Sequence, residues 1–318
     1  MTDNSSIKPS VAIIILNWNG KDDTHECLKS VLKLDYSNYQ PIIVDNGSED
    51  DSVQFFKQSF PDLLIIENGA NLGFAEGNNR AITKAIEKEF EYILLLNNDA
   101  IIDSQLLNSF IDVSKNNPHA GVFGAKIYYL SEPLKIWFAG GKILPDILRA
   151  SHEYMGEIDN SGLLEEVRPI DYACGCALFI KSDVIRKVGT LESKFFLMWE
   201  ETDFCYRARR AGFECLFVPK ALVWHKISAS FKGGDAGHLQ NYFMIRNRLL
   251  WIERNVSIRE KFRFLMKSLL PDIDRYLRGY LSPRADLNRR TISKVSLVAV
   301  MDYTFRRFGD CPKWIRSL

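Results

Sequence analysis

The chain has 318 residues, 46% of them hydrophobic and 25% charged, with 41 Lys and Arg against 40 Asp and Glu. That length and balance fit one large globular domain with an appendage, and they exclude a disordered, collagen-like or disulfide-dense chain. No apolar run approaches the roughly 20 residues that cross a bilayer, and Met1 to Pro9 lacks the basic-then-apolar order of a secretory signal, so a cytosolic protein is expected.

Residues 11–16 form a continuous apolar, β-branched run, the pattern of a strand buried on both faces of a parallel sheet. An amphipathic helix is expected over 22–34, then a strand over 41–44 that ends on Asp45. The polar run Asn46-Gly47-Ser48-Glu49-Asp50 reads as a turn and helix cap. The alternation continues with a strand at 63–66, a helix at 74–87, a strand at 92–96 and a helix at 104–115. Such repetition implies an α/β fold with a doubly wound, mostly parallel sheet. Ligands in such sheets bind outside the carboxyl ends of the strands. Asn17-Trp18-Asn19-Gly20, Asp45-Asn46-Gly47-Ser48 and Asn97-Asn98-Asp99 each sit at such an end, so all three can converge on one site.

Beyond Gly121 short strands are expected at 123–129, 136–138, 177–180 and 215–218, with helices at 182–188 and 200–211. Residues 144–169 carry little pattern and are expected to form a mobile loop. The six cysteines are scattered, and the closest pair, Cys174 and Cys176, is spaced C-x-C rather than C-x-x-C, so they read as free thiols. From Ser257 onward 14 Lys and Arg stand against 6 Asp and Glu, which leaves the remainder of the chain acidic by about 7. The tail's basic residues alternate with Phe262, Phe264, Leu265, Leu269, Leu270, Tyr276, Leu277 and Tyr280. Two readings stand for it: a helix lying on an anionic membrane surface, and a solvated helical appendage with a basic face.

Asp45 ends the second strand where a dinucleotide-binding fold keeps its ribose-binding acid. The first strand, however, runs into Asn17-Trp18-Asn19-Gly20 without a G-x-G-x-x-G, which disfavours hydride transfer. Phosphates then need another counter-charge, commonly a divalent metal on carboxylate oxygen.

Six ordered blocks carry a family resemblance. They are Val11-Ala-Ile-Ile-Ile-Leu-Asn-Trp-Asn, Ile43-Val-Asp-Asn-Gly-Ser-Glu-Asp, Asn71-Leu-Gly-Phe-Ala-Glu-Gly-Asn-Asn, Leu94-Leu-Leu-Asn-Asn-Asp, Trp199-Glu-Glu-Thr-Asp-Phe-Cys-Tyr-Arg and Trp224-His225. Together they resemble the family-2 glycosyltransferases, particularly the rhamnosyltransferase-like branch, over about residues 10–255. The resemblance implies a Rossmann-like GT-A fold. A domain over 1–256 would hold a nucleotide-binding half at about 10–120 and an acceptor half at about 121–256, followed by a basic helical extension at 257–318. It also implies an inverting transfer from a nucleotide-diphosphate sugar, dTDP-L-rhamnose by the branch, to a hydroxyl of a glycan or lipid-linked acceptor. Cell-surface polysaccharide synthesis at the cytoplasmic face is the setting it suggests.

Residue by residue, the resemblance makes Asp45 the acceptor of a hydrogen bond from the donor's base. A carboxylate can accept from N3–H of uracil or thymine, whereas cytosine offers no proton there, so a UDP or dTDP donor follows. The plain alternative is a turn or helix cap. Asn97-Asn98-Asp99 occupies the place of the family's D-x-D, whose last Asp coordinates Mg²⁺ or Mn²⁺. Only Asp99 is a carboxylate here, with Asn97 and Asn98 left for ribose or a metal-bound water. His225 would complete the metal site. Glu200-Glu201-Thr202-Asp203 matches the family's Glu-Asp-x-Asp, whose second acid is the general base; Glu201 is the first choice, with Glu200 and Asp203 as the other candidates. Acidic residues also simply favour a helix N-terminus.

The donor-binding set expected on this basis is Asn17, Asn19, Asp45, Asn46, Gly47, Asn71, Gly73, Asn79, Asn97, Asn98 and Arg246, whose guanidinium fork matches phosphate oxygens, with Asn247 beside it in an expected helix as a weaker candidate. Cys174-Gly175-Cys176 is expected near the acceptor, and Trp137, Phe196 and Trp199 either stack on a sugar or belong to the core. The competing readings are a non-catalytic nucleotide-sugar-binding homologue and a nucleotidyltransferase, which needs a Gly- and Lys-rich phosphate loop that residues 17–21 do not supply. Nucleic-acid binding through the tail ranks last.

Overall fold

The computed structural model describes residues 8–160, 164–226 and 236–318. Its first half alternates β1 (Val11–Asn17), α1 (Lys21–Val31), β2 (Tyr39–Asp45), α2 (Ser52–Ser59), β3 (Leu64–Glu67), α3 (Gly73–Glu87) and β4 (Tyr92–Asn97). β5 (Ala100–Ile102), α4 (Leu106–Asn116) and β6 (Ala120–Tyr129) follow. Then come β7 (Glu132–Phe138), β8 (Gly141–Leu144), β9 (Arg149–His152), β10 (Arg168–Pro169), β11 (Ala177–Lys181) and α5 (Ser182–Val188). A 3₁₀ turn (Ser193–Phe195) leads into α6 (Glu200–Arg210) and β12 (Glu214–His225). The remainder is helical: α7 (Ala236–Asn255), α8 (Ile258–Phe264), a π turn (Leu265–Leu269), α9 (Leu270–Leu281), α10 (Leu287–Thr304) and α11 (Lys313–Arg316).

A ten-stranded sheet runs in the order β10-β12-β6-β11-β4-β1-β2-β3, with β5 added to β12 and β7 to β6. β3, β2, β1 and β4 are mutually parallel. Val11 to Ile15 have no exposed surface, as the two-sided burial of a central parallel strand requires. The register sets Asn17 beside Asp45, and Leu16 beside Asn97, so these three strands end level with one another. β11 enters antiparallel with Ala177 opposite Leu96. β12 runs parallel to β6 and brings His225 opposite Ala100, the residue after Asp99. One edge of the sheet therefore collects the ends of β1, β2, β4 and β12 and the start of β11.

Three local expectations are corrected by the structure. Residues 144–169 are not patternless: β8 and β9 form a hairpin with Leu144 opposite Arg149, and β10 pairs with β12. Strands of two or four residues are too short to show alternation. β12 does not stop at Val218 but continues past Pro219 to His225, because the ladder skips from Val218 to Leu222 against adjacent residues of β6. Proline is tolerated in a strand at such an irregularity. β5, three residues long, has no counterpart among the expected strands.

The helices after residue 256 pack closely on the residues before it. α7 packs along α10. One apolar cluster joins Phe195 and Trp199 to Leu250, Trp251 and Phe264, and another joins Phe196 to Tyr242, Phe243, Val295 and Ala299. No helix among the described residues is long and apolar enough to cross a membrane. All six cysteines are buried free thiols.

Phe179 of β11 is fully buried and stacks on Phe110 (centroids 4.7 Å apart, 5° between planes) and on Tyr92 (5.0 Å, 8°). Phe179→Ala is expected to lower unfolding free energy by about 3–5 kcal/mol through the cavity it leaves. Urea denaturation measures this, and an unchanged midpoint would contradict the packing described.

Candidate active site

The ends of β1 and β2 are bolted together by side-chain amides. Asn17 is fully buried; its Nδ2 donates to Asp45 Oδ1 (3.0 Å) and Ser48 Oγ (3.0 Å), and its Oδ1 accepts from Thr24 Oγ1 (2.7 Å). Asp45 Oδ2 also accepts from the main-chain N–H groups of Gly47 (3.1 Å) and Ser48 (3.0 Å). The carboxylate thus caps its own turn and still has acceptor capacity left. Asn19 sits in the left-handed region (φ 49°), and its Oδ1 accepts from the main chain of Glu49 (2.7 Å). Gly47 has φ +74°, and a Cβ there would come within 2.5 Å of the Ala70 backbone, so no other residue fits. Asn46 Nδ2 donates to Asn71 Oδ1 (3.0 Å) and to the Gly73 carbonyl (3.2 Å). Asn71 Oδ1 in turn accepts from Gly73 N (2.9 Å). Asn17, Asn19, Asp45, Asn46, Gly47, Asn71 and Gly73 therefore form one connected rim.

Across the edge, β4 and β12 bring Asp99 and His225 together. His225 Nε2 lies 2.9 Å from Asp99 Oδ1 and 3.2 Å from Asn97 Nδ2, with both Asp99 and His225 buried. His225 Nδ1 is enclosed without a hydrogen-bond partner. Asn98 is tied to the β1 rim instead, donating to Thr24 Oγ1 (2.9 Å). Trp137 of β7 meets the His225 ring edge-on at 4.8 Å. On its other side it meets His152 of β9 at 4.9 Å. Burial holds the His152 imidazole down at about 4, so it is neutral near pH 7.

The third component is the start of α6. Glu200 and Glu201 follow Phe196, Met198 and Trp199, whose φ values of 64°, 68° and 77° are left-handed and costly for non-glycine residues. Asn247 of α7 holds this turn: its Nδ2 lies within 2.8 Å of the carbonyls of Phe195, Leu197 and Met198. The Phe196 carbonyl accepts from Phe74 N at the start of α3 (2.6 Å), joining the turn to the nucleotide half. Glu200 Oε2 and Glu201 Oε2 are both enclosed and unpartnered, the condition a polar ligand relieves. Burial raises the Glu201 carboxyl to about 7 against the pull of the N–H groups of Glu201 and Thr202. Burial, then the charge of Glu201, raises Glu200 well above the ordinary range. Gly175 passes over Phe74 and Glu201, with the position of a Cβ there 3.9 Å from Glu201 Cβ. Burial raises both the Cys174 and Cys176 thiols, with a further rise from the charge of Glu201 at Cys174 and a smaller one from Asp99 at Cys176. Cys174-Gly175-Cys176 thus spans from the acidic pair to the Asp99 side.

Three expected site residues are drawn elsewhere. Asp203 has no exposed surface, and its oxygens accept from Arg207 Nε (2.7 Å), Arg254 Nε (3.2 Å) and Asn255 Nδ2 (2.8 Å). A carboxylate so committed organises an ion-pair cluster and is not a base. Asn79 is exchanged in both directions with the main chain of Leu191, so it staples α3 to the loop between α5 and the 3₁₀ turn. Arg246 is fully buried with every guanidinium nitrogen engaged, by Asn247 Oδ1, Tyr242 Oη and the carbonyls of Gly309 and Phe195. It has no fork to offer a phosphate. Phe196 and Trp199 belong to the apolar clusters, whereas Trp137 lies at the site. His152 is the residue that sequence reasoning passed over, because it lies in the short-stranded stretch; Asn247, a weaker candidate beside Arg246, braces the 195–198 turn.

Asn247→Ala is expected to cost about 1–3 kcal/mol by withdrawing a buried donor from three carbonyls. Because the turn positions Glu201 and the rim is left alone, turnover should fall more than nucleotide affinity. Denaturation, nucleotide binding and turnover together check this; equal losses in affinity and turnover would contradict it.

Comparison with known proteins gives the family and the fold. A family model described as "Glycosyl transferase family 2" matches residues 12–187. An N-acetylglucosaminyl-diphospho-decaprenol L-rhamnosyltransferase from Mycobacterium tuberculosis is 24% identical over 276 residues, covering 81% of this chain and 87% of that protein. Rhamnosyltransferase WbbL from Escherichia coli is 24% identical over 253 residues, covering 74% and 94%. The structure of a mannosyltransferase from Pyrobaculum calidifontis in complex with GDP-Man and Mn²⁺ superimposes with a TM-score of 0.58 at 13% identity, covering 95% of this chain and 89% of that one. The fold is GT-A with a C-terminal helical region, and the chain belongs to glycosyl transferase family 2, on its rhamnosyltransferase-like side.

Proposed function

We propose that this glycosyltransferase moves L-rhamnose from dTDP-rhamnose, in one inverting displacement, onto a hydroxyl of a lipid-linked or glycan acceptor in cell-surface polysaccharide synthesis at the cytoplasmic face. The observation that carries the reading is Glu201: a carboxylate with one oxygen, Oε2, enclosed without a partner among the described residues and its pKa raised by burial to about 7, at the edge where the strand ends converge. A base with that pKa is substantially ionised at neutral pH yet basic enough to take a hydroxyl proton as the bond forms. Burial and the charge of Glu201 raise Glu200 as well, so the adjacent acids disfavour a doubly charged pair, and Glu201 is the member assigned to accept the proton.

On the donor side, the spare acceptor capacity of Asp45 suits N3–H of uracil or thymine, and the Asn46 network fixes the rim on which the nucleotide rests. Two rhamnosyltransferases among the relatives support rhamnose, and the mycobacterial one, named for a diphospho-decaprenol substrate, supports a lipid-linked acceptor and hence contact of the helical region with a membrane.

The residues present fit a divalent metal. Asp99 and His225 offer one hard oxygen and one imidazole nitrogen within 2.9 Å of each other. No larger His, Cys, Asp and Glu group is assembled among the described residues. Mg²⁺ and Mn²⁺ commonly take one or two protein groups and complete their shell with phosphate oxygens and water. Such a metal, held by Asp99 and His225, supplies positive charge against the departing nucleotide diphosphate.

The test is release of nucleotide diphosphate from dTDP-, UDP- and GDP-sugars with acceptor present, with and without Mn²⁺ or Mg²⁺, in the intact protein, Asp99→Ala and Glu201→Gln. GDP-sugars belong in the panel because guanine N1–H can also donate to a carboxylate. The expected result is metal-dependent release from one pyrimidine donor, about 100-fold slower or worse in both variants. The intact protein's rate should rise with pH through about 7, as Glu201 loses its proton, and Glu201→Gln should lack that limb. Binding of donor without release would favour a non-catalytic homologue; unchanged release in Glu201→Gln would overturn the assignment of the base.

A further inference from the structure

The helix formed by α8, the π turn and α9 has two apolar faces, and among the described residues only one is covered. Phe264 turns inward to the cluster of Trp199, Leu250 and Trp251. Gly279 lies so close to Ser293 of α10 that a side chain there would collide. On the outside, Ile258 is 82% exposed, Phe262 66%, Met266 51% and Leu281 70%. Large apolar side chains standing in water along one helix face mark a surface that something covers.

Charge says what kind of surface covers it. Ile258, Phe262 and Met266 recur every fourth residue, and each is followed at once by a cation: Arg259, Arg263 and Lys267, all exposed. At 100° per residue the cation flanks the apolar stripe on every turn. Farther along, Arg275 and Arg278 are paired with Asp272 and Asp274, so the excess charge lies on the first half of the helix. An apolar row bordered by a basic row matches the acyl chains and the phosphates of an anionic bilayer at the depth of an interfacial helix.

We propose that the outward face of α8 and α9, carried by Ile258, Phe262, Met266 and Leu281 and flanked by Arg259, Arg263 and Lys267, is the surface that seats this protein on an anionic bilayer. It deepens, and rests on, the reading of a lipid-linked acceptor. The inward face of the same helix reaches the candidate base in one step: Phe264 shares a cluster with Trp199, which immediately precedes Glu200 and Glu201, and Trp199 tilts against Trp251 at 5.5 Å. Arg248 connects the other side, lying 4.7 Å over the Phe264 ring while donating to the Leu148 carbonyl beside β9. The bilayer-facing helix therefore braces the turn at which an acceptor hydroxyl must lose its proton.

The experiment is co-sedimentation of the full chain with phosphatidylcholine vesicles, with and without phosphatidylglycerol, in the absence of donor and acceptor. Binding is expected to be at least about tenfold tighter with phosphatidylglycerol and to weaken with salt. Phe262→Asp with Met266→Asp should lose at least about tenfold, and so should Arg259→Glu with Arg263→Glu; circular dichroism should be unchanged, since all four side chains are exposed. No binding, equal binding to neutral vesicles, or equal binding by both variants overturns the proposal. So does a concentration-dependent dimer abolished by Phe262→Asp without vesicle binding, which would make the face a contact between copies. Because neither donor nor acceptor is present, this experiment fails or succeeds independently of the transfer reaction.

Discussion

The amide of Asn247 is the contact on which the candidate site depends. Phe196, Met198 and Trp199 hold left-handed backbone (φ 64°, 68° and 77°), a conformation that costs of order 1–3 kcal/mol per residue and persists only where neighbours over-determine it. Asn247 donates toward three carbonyls of that turn, Arg246 adds a fourth contact at Phe195, and Phe74 donates to the carbonyl of Phe196. The turn therefore belongs at once to α7, to α3 and to the start of α6. The strain is localised where two acidic side chains leave the backbone side by side, each with one oxygen enclosed and without a partner among the described residues. A relaxed helix entry has no need of such a brace.

The donor side rests on a different device, a level sheet edge. Parallel register brings Asn17 and Asp45 abreast, and an amide–carboxylate bond between them fixes the rim. β12 reaches the same edge only because its ladder breaks at Pro219 and resumes, delivering His225 to Asp99. The segment Cys174-Gly175-Cys176 runs between the acidic pair and the Asp99 side, and its small central residue leaves room beside Glu201. The rim, the Asp99–His225 pair and Glu201 thus lie along a single edge, the order in which the proposed reaction needs its nucleotide, diphosphate and acceptor.

Much of this was legible in the sequence where local chemistry and tertiary role coincide. A doubly buried strand must be apolar throughout, so β1 shows in Val11 to Ile15. A polar cluster after such a strand lies at the ligand-binding edge whatever else the chain does, so Asn17, Asp45 and Asp99 were readable. What could not be read is commitment to other protein groups. Asp203 and Arg246 carry the right charge, and only packing reveals that Arg207, Arg254 and Asn255 occupy one and four protein oxygens the other. Asn247 and His152 act through contacts made across 49 or more residues or within short strands, and neither leaves a periodic signal. The helical region was legible in charge but not in its packing, because the clusters that tie it to the 196–199 turn pair residues far apart in sequence.

The account holds that one carboxylate removes the acceptor's proton while the hydroxyl attacks the sugar carbon opposite the nucleotide, with no sugar–enzyme bond on the way. On this reading Glu201, half-buried with its carboxyl raised by burial and one oxygen enclosed without a partner, takes the proton, and no second acid is needed as a nucleophile. The measurement that tests this most directly is the anomeric configuration of the product, read by proton–carbon coupling at the transferred sugar's C1. A configuration opposite to that of the donor is the predicted result. A product that keeps the donor's configuration would contradict single displacement and, with it, the role given to Glu201.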